Sequence, residues 1–173
     1  SETGLTRCFL RHGEIRFVQP PGQPGEPVPV LWAGGGSSAF DRVKYDAIGG
    51  FEALYEPCYV EDASLSWQAW RRGWRALYVH GSVVHHAHRG TSSRVFKRDR
   101  LERLAWRNRE LFFVRNVTDP LLVLQHALLV PWNVRKQARL LQLSLADGVR
   151  AWLAIVPRLP AALWHRETSR RHY

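Results

Sequence analysis

Residues 49–73 read GGFEALYEPCYVEDASLSWQAWRRG. The second half of this stretch carries its own start and stop. Glu61-Asp62 is an acidic pair suited to the first turn of a helix, and Gly73 is suited to its end. Between them Leu65, Ala69 and Trp70 recur at helical spacing, which predicts a helix from Glu61 to about Gly73. The first half closes an earlier element. Asp41 predicts the cap of a short helix over Arg42–Ile48, and Gly49-Gly50 its termination.

Upstream of that pair, Val30–Phe40 reads as an extended segment broken by Gly34-Gly35-Gly36, and Pro20–Pro29 as a loop. Residues 5–18 alternate around His12-Gly13 and predict a hairpin of two short strands. Downstream, Arg75–Val79 and Ser82–His86 read as strands joined by His80-Gly81, with a polar loop, Ala87–Ser93, after them. The expectation to this point is a β-α-β pattern on a mixed sheet. Beyond residue 97 the pattern turns helical. Leu101, Leu104, Leu111 and Phe112 form one apolar stripe, Val134, Ala138, Leu141 and Leu145 a second, and Val149, Leu153 and Val156 a third ended by Pro157. Asp119-Pro120 is a helix start with the cap before a first-turn proline. The expected division is therefore 1–97, α/β, and 98–173, helical.

The 173 residues are 45% hydrophobic with eight Trp, enough for a packed core and against a disordered chain. Charge is unevenly placed. Residues 1–88 hold 8 Lys/Arg against 9 Asp/Glu, and residues 89–173 hold 17 against 6, so the whole positive excess lies in the second part. A basic half points to phosphate, whether on a lipid, a nucleic acid or a diphosphate ligand. No stretch reaches the ~18–20 apolar residues of a membrane span; Leu121–Trp132 comes nearest and reads as a buried or interfacial helix. Cys8 and Cys58 form no metal-binding or redox spacing and read as reduced thiols in a cytosolic compartment. Ser1 and the absence of Met suggest a piece of a longer or processed protein.

Three motifs carry chemistry. Trp32-Ala33-Gly34-Gly35-Gly36 offers bare backbone N–H groups where a ligand can approach closely; a tight turn is the plainer reading of the same glycines. Glu61-Asp62 supplies paired carboxylates at a helix N-terminus, a position that lowers a carboxylate's pKa and holds it fixed, as a general base requires; simple helix capping is the alternative. His85-His86-Ala87-His88-Arg89-Gly90-Thr91-Ser92 puts three imidazoles at the end of an expected strand, where alternation would turn His86 and His88 to one side as ligands for a divalent ion.

The order Gly-Gly-Gly, Gly-Gly-Phe, Glu-Asp, strand, then His-Ala-His-Arg-Gly-Thr-Ser resembles the second half of bacterial family 2 glycosyltransferases, nearest to rhamnosyltransferase-like members. The likeness runs over residues 30–116, including Arg107-Asn108 and Phe112, and is looser over 117–173. It implies the acceptor-side half of a GT-A (nucleotide-diphospho-sugar transferase) mixed α/β sheet followed by a helical region, with the nucleotide-binding half missing. It implies inverting transfer of a sugar from a nucleotide-sugar to a glycan or lipid-linked acceptor. Asp62 would be the general base, and Glu61 would support the acceptor or the base. His86, with His88 as second choice, would ligate a divalent metal, Mg²⁺ or Mn²⁺, expected in the full-length parent. Gly34, Gly35 and Gly36 would line the sugar and diphosphate region. Arg89 and Ser92 would contact substrate, and Trp32 would stack on a sugar ring or serve the core. The implied location is the cytoplasm, peripheral at the inner face of the membrane.

The likeness has gaps. Ser64 and Gln68 stand where the family often has Asp and Arg, which puts acceptor contacts in doubt, and no D-x-D metal motif occurs anywhere in the chain. A rival reading from a different class is a non-enzymatic basic module in residues 89–173. Its arginines interleave with Trp106, Trp132, Trp152 and Trp164 and would bind a membrane surface; no nucleic-acid-binding signature accompanies them. Residues 133–171 are expected to form short amphipathic helices with apolar stripes fit for burial and basic faces laid against an anionic membrane; the alternative is that the stripes pack on the catalytic core and the arginines are solvated.

Overall fold

The computed structural model describes residues 5–22, 24–85 and 92–170. These pack as two units. One holds residues 5–9, 17–22 and 24–85; the other holds 10–16 and 92–170.

The hairpin predicted around His12-Gly13 is present as β1 (Arg7–Arg11) and β2 (Glu14–Val18). Its two turn residues both take left-handed backbone, His12 at φ 50° and Gly13 at φ 74°, the requirement of a tight two-residue hairpin. In the first unit β3 (Val28–Val30) pairs antiparallel with β4 (Ala76–Tyr78), with Val28 opposite Tyr78 and Val30 opposite Ala76. Between them run α1 (Arg42–Ile48), a 3₁₀ turn at Ala53–Tyr55, and α2 (Glu61–Arg71). The Asp41 side chain accepts from the Lys44 N–H, and Gly49 closes α1 at φ 93°. The core of this unit gathers Val30, Trp32, Leu54, Tyr55, Ala63 and Leu65.

The sheet departs from expectation. The described residues hold two small two-stranded sheets and no continuous mixed sheet. The strand expected over Ser82–His86 does not form across 82–85, and His86 lies outside the described residues. Val83 and Val84 are β-branched residues that favour a strand, but among the described residues no strand pairs with them and both are exposed. Pro29 sits mid-strand in β3 opposite Leu77, where it contributes no N–H to the ladder.

The second unit is helical: α3 (Ser92–Val95), α4 (Arg98–Asn116), α5 (Pro120–Leu140), α6 (Leu145–Leu153), a 3₁₀ turn at Val156–Arg158, and α7 (Leu159–Arg170). Asp119 caps α5 by accepting from the Leu121 and Leu122 N–H groups, with Pro120 in the first turn as predicted. The core of this unit gathers Leu101, Trp106, Leu111, Phe112 and Phe113 of α4, Val134 and Ala138 of α5, Ile155 and Ala162, with α4 lying against α7 and α5 against α6. The hairpin tip belongs here. The His12 carbonyl accepts from Asn133, the Gly13 carbonyl faces His126 Nδ1 at 2.6 Å, and Glu14 pairs with Lys136.

Two stripe expectations are corrected. Leu145 does not extend the Val134–Ala138 stripe, because α5 ends at Leu140 and Gln142 (φ 55°) turns the chain before Ser144 caps α6. Val149, Leu153 and Val156 are not buried but 40–49% exposed.

Candidate active-site region

The stretch that precedes and includes the glycine run lies along α2 in a fixed register. Trp70 Nε1 donates to the carbonyls of Val30 (3.0 Å) and Leu31 (3.1 Å). The Ala33 N–H donates to Ser66 Oγ at 3.1 Å, and the Gly35 N–H to Asp62 Oδ2 at 3.1 Å. The helix residues are four apart, and the extended partners step by two. Four helical residues rise about 6.0 Å, close to two steps of chain, and the last partner, Gly35, already lies in the turn that follows. Asp62 is the last rung of this ladder. Its other oxygen accepts from the Ala63 N–H at 2.8 Å, within the first turn.

The approach to that turn is strained. Tyr59 and Val60 both sit at φ 76°, a left-handed conformation costly for a β-branched side chain, and Val60 is the N-cap residue of α2. Glu61 and Asp62 follow directly. Burial raises the Asp62 carboxyl above the ordinary aspartate value, against the pull of the Gly35 and Ala63 amides. Burial also raises Glu61, with the neighbouring Asp62 charge adding to it, and Glu61 Oε2 is buried without a hydrogen-bond partner among the described residues. The helix N-terminus was expected to lower these values; desolvation outweighs it.

Ser64 and Gln68 face inward, 0% and 3% exposed, and Ser64 Oγ donates to Glu52 Oε2 at 2.6 Å. Neither presents a polar group to a ligand. Gly49-Gly50-Phe51 has a clear structural task. A Cβ on Gly50 (φ 72°) would meet Tyr45 ring atoms at 3.0 Å, and the Phe51 ring packs edge-on against Tyr45 and Phe40.

Beside the ladder lies an open cleft of about 830 Å³. Gly34, Gly36, Ser37 and Ser38 form part of its wall, with Lys44, Tyr45, Trp74 and Tyr78 among the other lining groups. Asp62 is not among the lining residues. It borders the wall through its bond to Gly35. Trp32 lines the cleft yet is only 7% exposed; its ring edge-packs on Phe17 and its backbone is bonded at both N–H and carbonyl to Thr6 Oγ1. It is a core residue first. Trp74, half-buried with the Lys44 ammonium 5.9 Å from its ring centroid, is the more accessible aromatic, and it was missed in the sequence. Ser66 was missed as well, and Trp70 was read only as an apolar position of the helix. The four-residue spacing Asp62-Ser66-Trp70, set against the residues leading into the glycine run, was their signal.

The remaining candidates are dispersed. His86, His88 and Arg89 lie outside the described residues, and Ser92 opens α3 in the helical unit. Among the described residues no three His, Cys, Asp or Glu side chains gather to hold a metal ion. The chain matches no protein-family model, no curated protein and no solved structure.

Proposed function

We propose that residues 30–85 belong to the acceptor side of an inverting glycosyltransferase in which Asp62 is the general base. The observation that carries this reading is the Asp62 carboxylate, pinned by the Gly35 N–H at the edge of a glycine-walled cleft and given a raised pKa by its burial. A base is most effective when its pKa approaches the working pH. In the proposed step one Asp62 oxygen takes the proton of the acceptor hydroxyl while the acceptor's hydroxyl oxygen attacks the anomeric carbon. The bond from that carbon to the diphosphate breaks on the opposite face, which inverts the configuration. Trp74 offers a ring face to the sugar, and Lys44 offers a cation beside it.

In this reading the donor's nucleotide is held by residues outside this chain. A divalent metal, ligated by His86 or His88, would offset the charge of the leaving diphosphate. The described residues provide no donor set for that ion. Glu61 is the proposed support of the acceptor or of the base. Arg89 and Ser92 stay proposed substrate contacts.

The test uses the parent protein that joins this chain to a nucleotide-binding half. Asp62→Asn is expected to lower sugar transfer about 10²–10⁴-fold with little change in thermal midpoint. The acid limb of the parent's pH–rate profile is expected above the ordinary aspartate range. Near-normal turnover in Asp62→Asn overturns the assignment.

A further inference from the structure

We propose that the helical unit docks on an anionic lipid bilayer, laying the exposed apolar faces of α5 and α6 into the interface. The inference stands independently of the transfer reading, since it uses none of the residues around Asp62.

The first observation is a stripe on α5. Leu121, Leu124, Leu128 and Trp132 are spaced by three, four and four residues, which places them on one helical face, and they are 74%, 55%, 71% and 62% exposed. From Pro120 to Val134 the sequence holds no Asp, Glu, Lys or Arg. The stripe then continues, by steps of three and four, into Arg135 and Arg139, both exposed. One solvent-facing line thus runs from leucine through tryptophan to arginine.

The second observation is that α6 repeats the arrangement. Its one buried residue is Gly148, which seats it closely against Ala138 of α5. Leu145, Val149 and Leu153, four residues apart, are 40–53% exposed, and Arg150 follows beside them. A water-soluble helix ordinarily turns such a stripe inward.

Charge and side-chain type select the occupant. Residues 120–166 carry six Lys/Arg against a single acid, Asp147, so the surface complements negative charge. An indole between leucines and arginines suits the boundary of hydrocarbon and headgroup, where the ring is half wet and the guanidinium meets phosphate. No single helix among the described residues is long and apolar enough to cross a membrane. The pair Pro120–Leu140 and Leu145–Arg166 passes by length and composition only together, and it bends by 114° at the break. A bent pair with a one-sided apolar face fits a surface better than a straight crossing.

The test is co-sedimentation of the 173-residue chain with phosphatidylcholine vesicles, with and without phosphatidylglycerol, together with quenching of tryptophan fluorescence by brominated lipid. Binding is expected only with phosphatidylglycerol, and it is expected to weaken as salt rises. Arg135→Ala with Arg139→Ala should weaken it about 30-fold at low salt, roughly fivefold per charge. Leu128→Glu should weaken it at least about tenfold, with the helical circular dichroism unchanged because the side chain is exposed. Equal binding by Leu128→Glu and the unsubstituted chain overturns the proposal, as does absence of binding to phosphatidylglycerol vesicles. If the chain instead self-associates without lipid, ignores vesicles, and becomes monomeric with Leu128→Glu, a second copy covers the face and the proposal is equally overturned.

Discussion

At Gly34 and Gly35 the fold itself does not ask for glycine. Neither takes a left-handed φ. A Cβ on Gly34 would meet only Ser37 Oγ at 3.6 Å, and one on Gly35 the Asp62 Cβ at 3.8 Å and the Phe51 ring at 3.9 Å, all ordinary contacts. Gly50 is the contrast, with φ at 72° and a tyrosine ring at 3.0 Å. At Gly34, which lines the cleft, space is therefore left open by a residue that folding would allow to be larger. Gly34→Ala should hold or raise stability, by about 0.4–1 kcal/mol, while lowering sugar transfer by the parent at least tenfold. Gly50→Ala should lower stability by more than that gain. Equal transfer by Gly34→Ala and the parent would separate the glycine run from any ligand. The glycine run, Glu61 and Asp62 were legible in the sequence as residue types at a spacing. The strain at Tyr59 and Val60 was not, because neither residue favours positive φ and only the surrounding packing imposes it. Nor was the sign of the Asp62 shift, which depends on burial set by distant segments.

Among the elements, those with chemical punctuation were readable. Asp41 and Gly49 bound α1, Asp119-Pro120 starts α5, and His12-Gly13 turns the hairpin, each where the local residues dictate. Elements that depend on a distant partner were not readable. The valines after β4 lack a ladder, and the apolar rhythm of α5 runs on past its end into α6. The Ser144-x-x-Asp147 cap, in which Ser144 Oγ accepts from the Asp147 N–H at 3.1 Å, marks that break and was overlooked. Gly148 explains how α6 returns onto α5. Glycine inside a helix normally costs about 1 kcal/mol relative to alanine, so Gly148→Ala should stabilise by propensity alone. Here its Cβ would come within 2.5 Å of the Ala138 Cβ. Crowding of that kind costs about 1–3 kcal/mol, so the substitution should destabilise. Ala138→Gly in the same chain should recover part of the loss, and urea denaturation of the two single variants and the double variant measures the coupling. Additive effects would mean that the two helices do not meet at this pair.

Over the whole chain, the acids whose titration matters are the buried ones. Glu61 and Asp62 in one unit and Glu110 in the other are all raised chiefly by burial. Glu110 lies in α4 with its carboxylate 3.4 Å from His126 Nε2, accepts from Trp152 Nε1 at 3.3 Å, and has Glu14 and Arg109 near it. A carboxyl with a raised pKa binds its proton more tightly in the folded chain than in the unfolded one. Its stabilising contribution is complete below the ordinary carboxylate pKa and is lost as pH rises through the folded value. The opposing trend is the net charge, already +10 near neutrality, which grows on acidification and repels. Comparing the unsubstituted chain with Glu110→Gln cancels that common repulsion. The glutamine keeps a neutral side chain at every pH, so the stability of the variant relative to the unsubstituted chain should rise with pH across the acid-to-neutral range. The slope is bounded by one proton, about 1.4 kcal/mol per pH unit. Urea midpoints at a series of pH values check it. A difference that stays flat, or that falls with pH, would mean that Glu110 is ionised in the folded chain as readily as in the unfolded one.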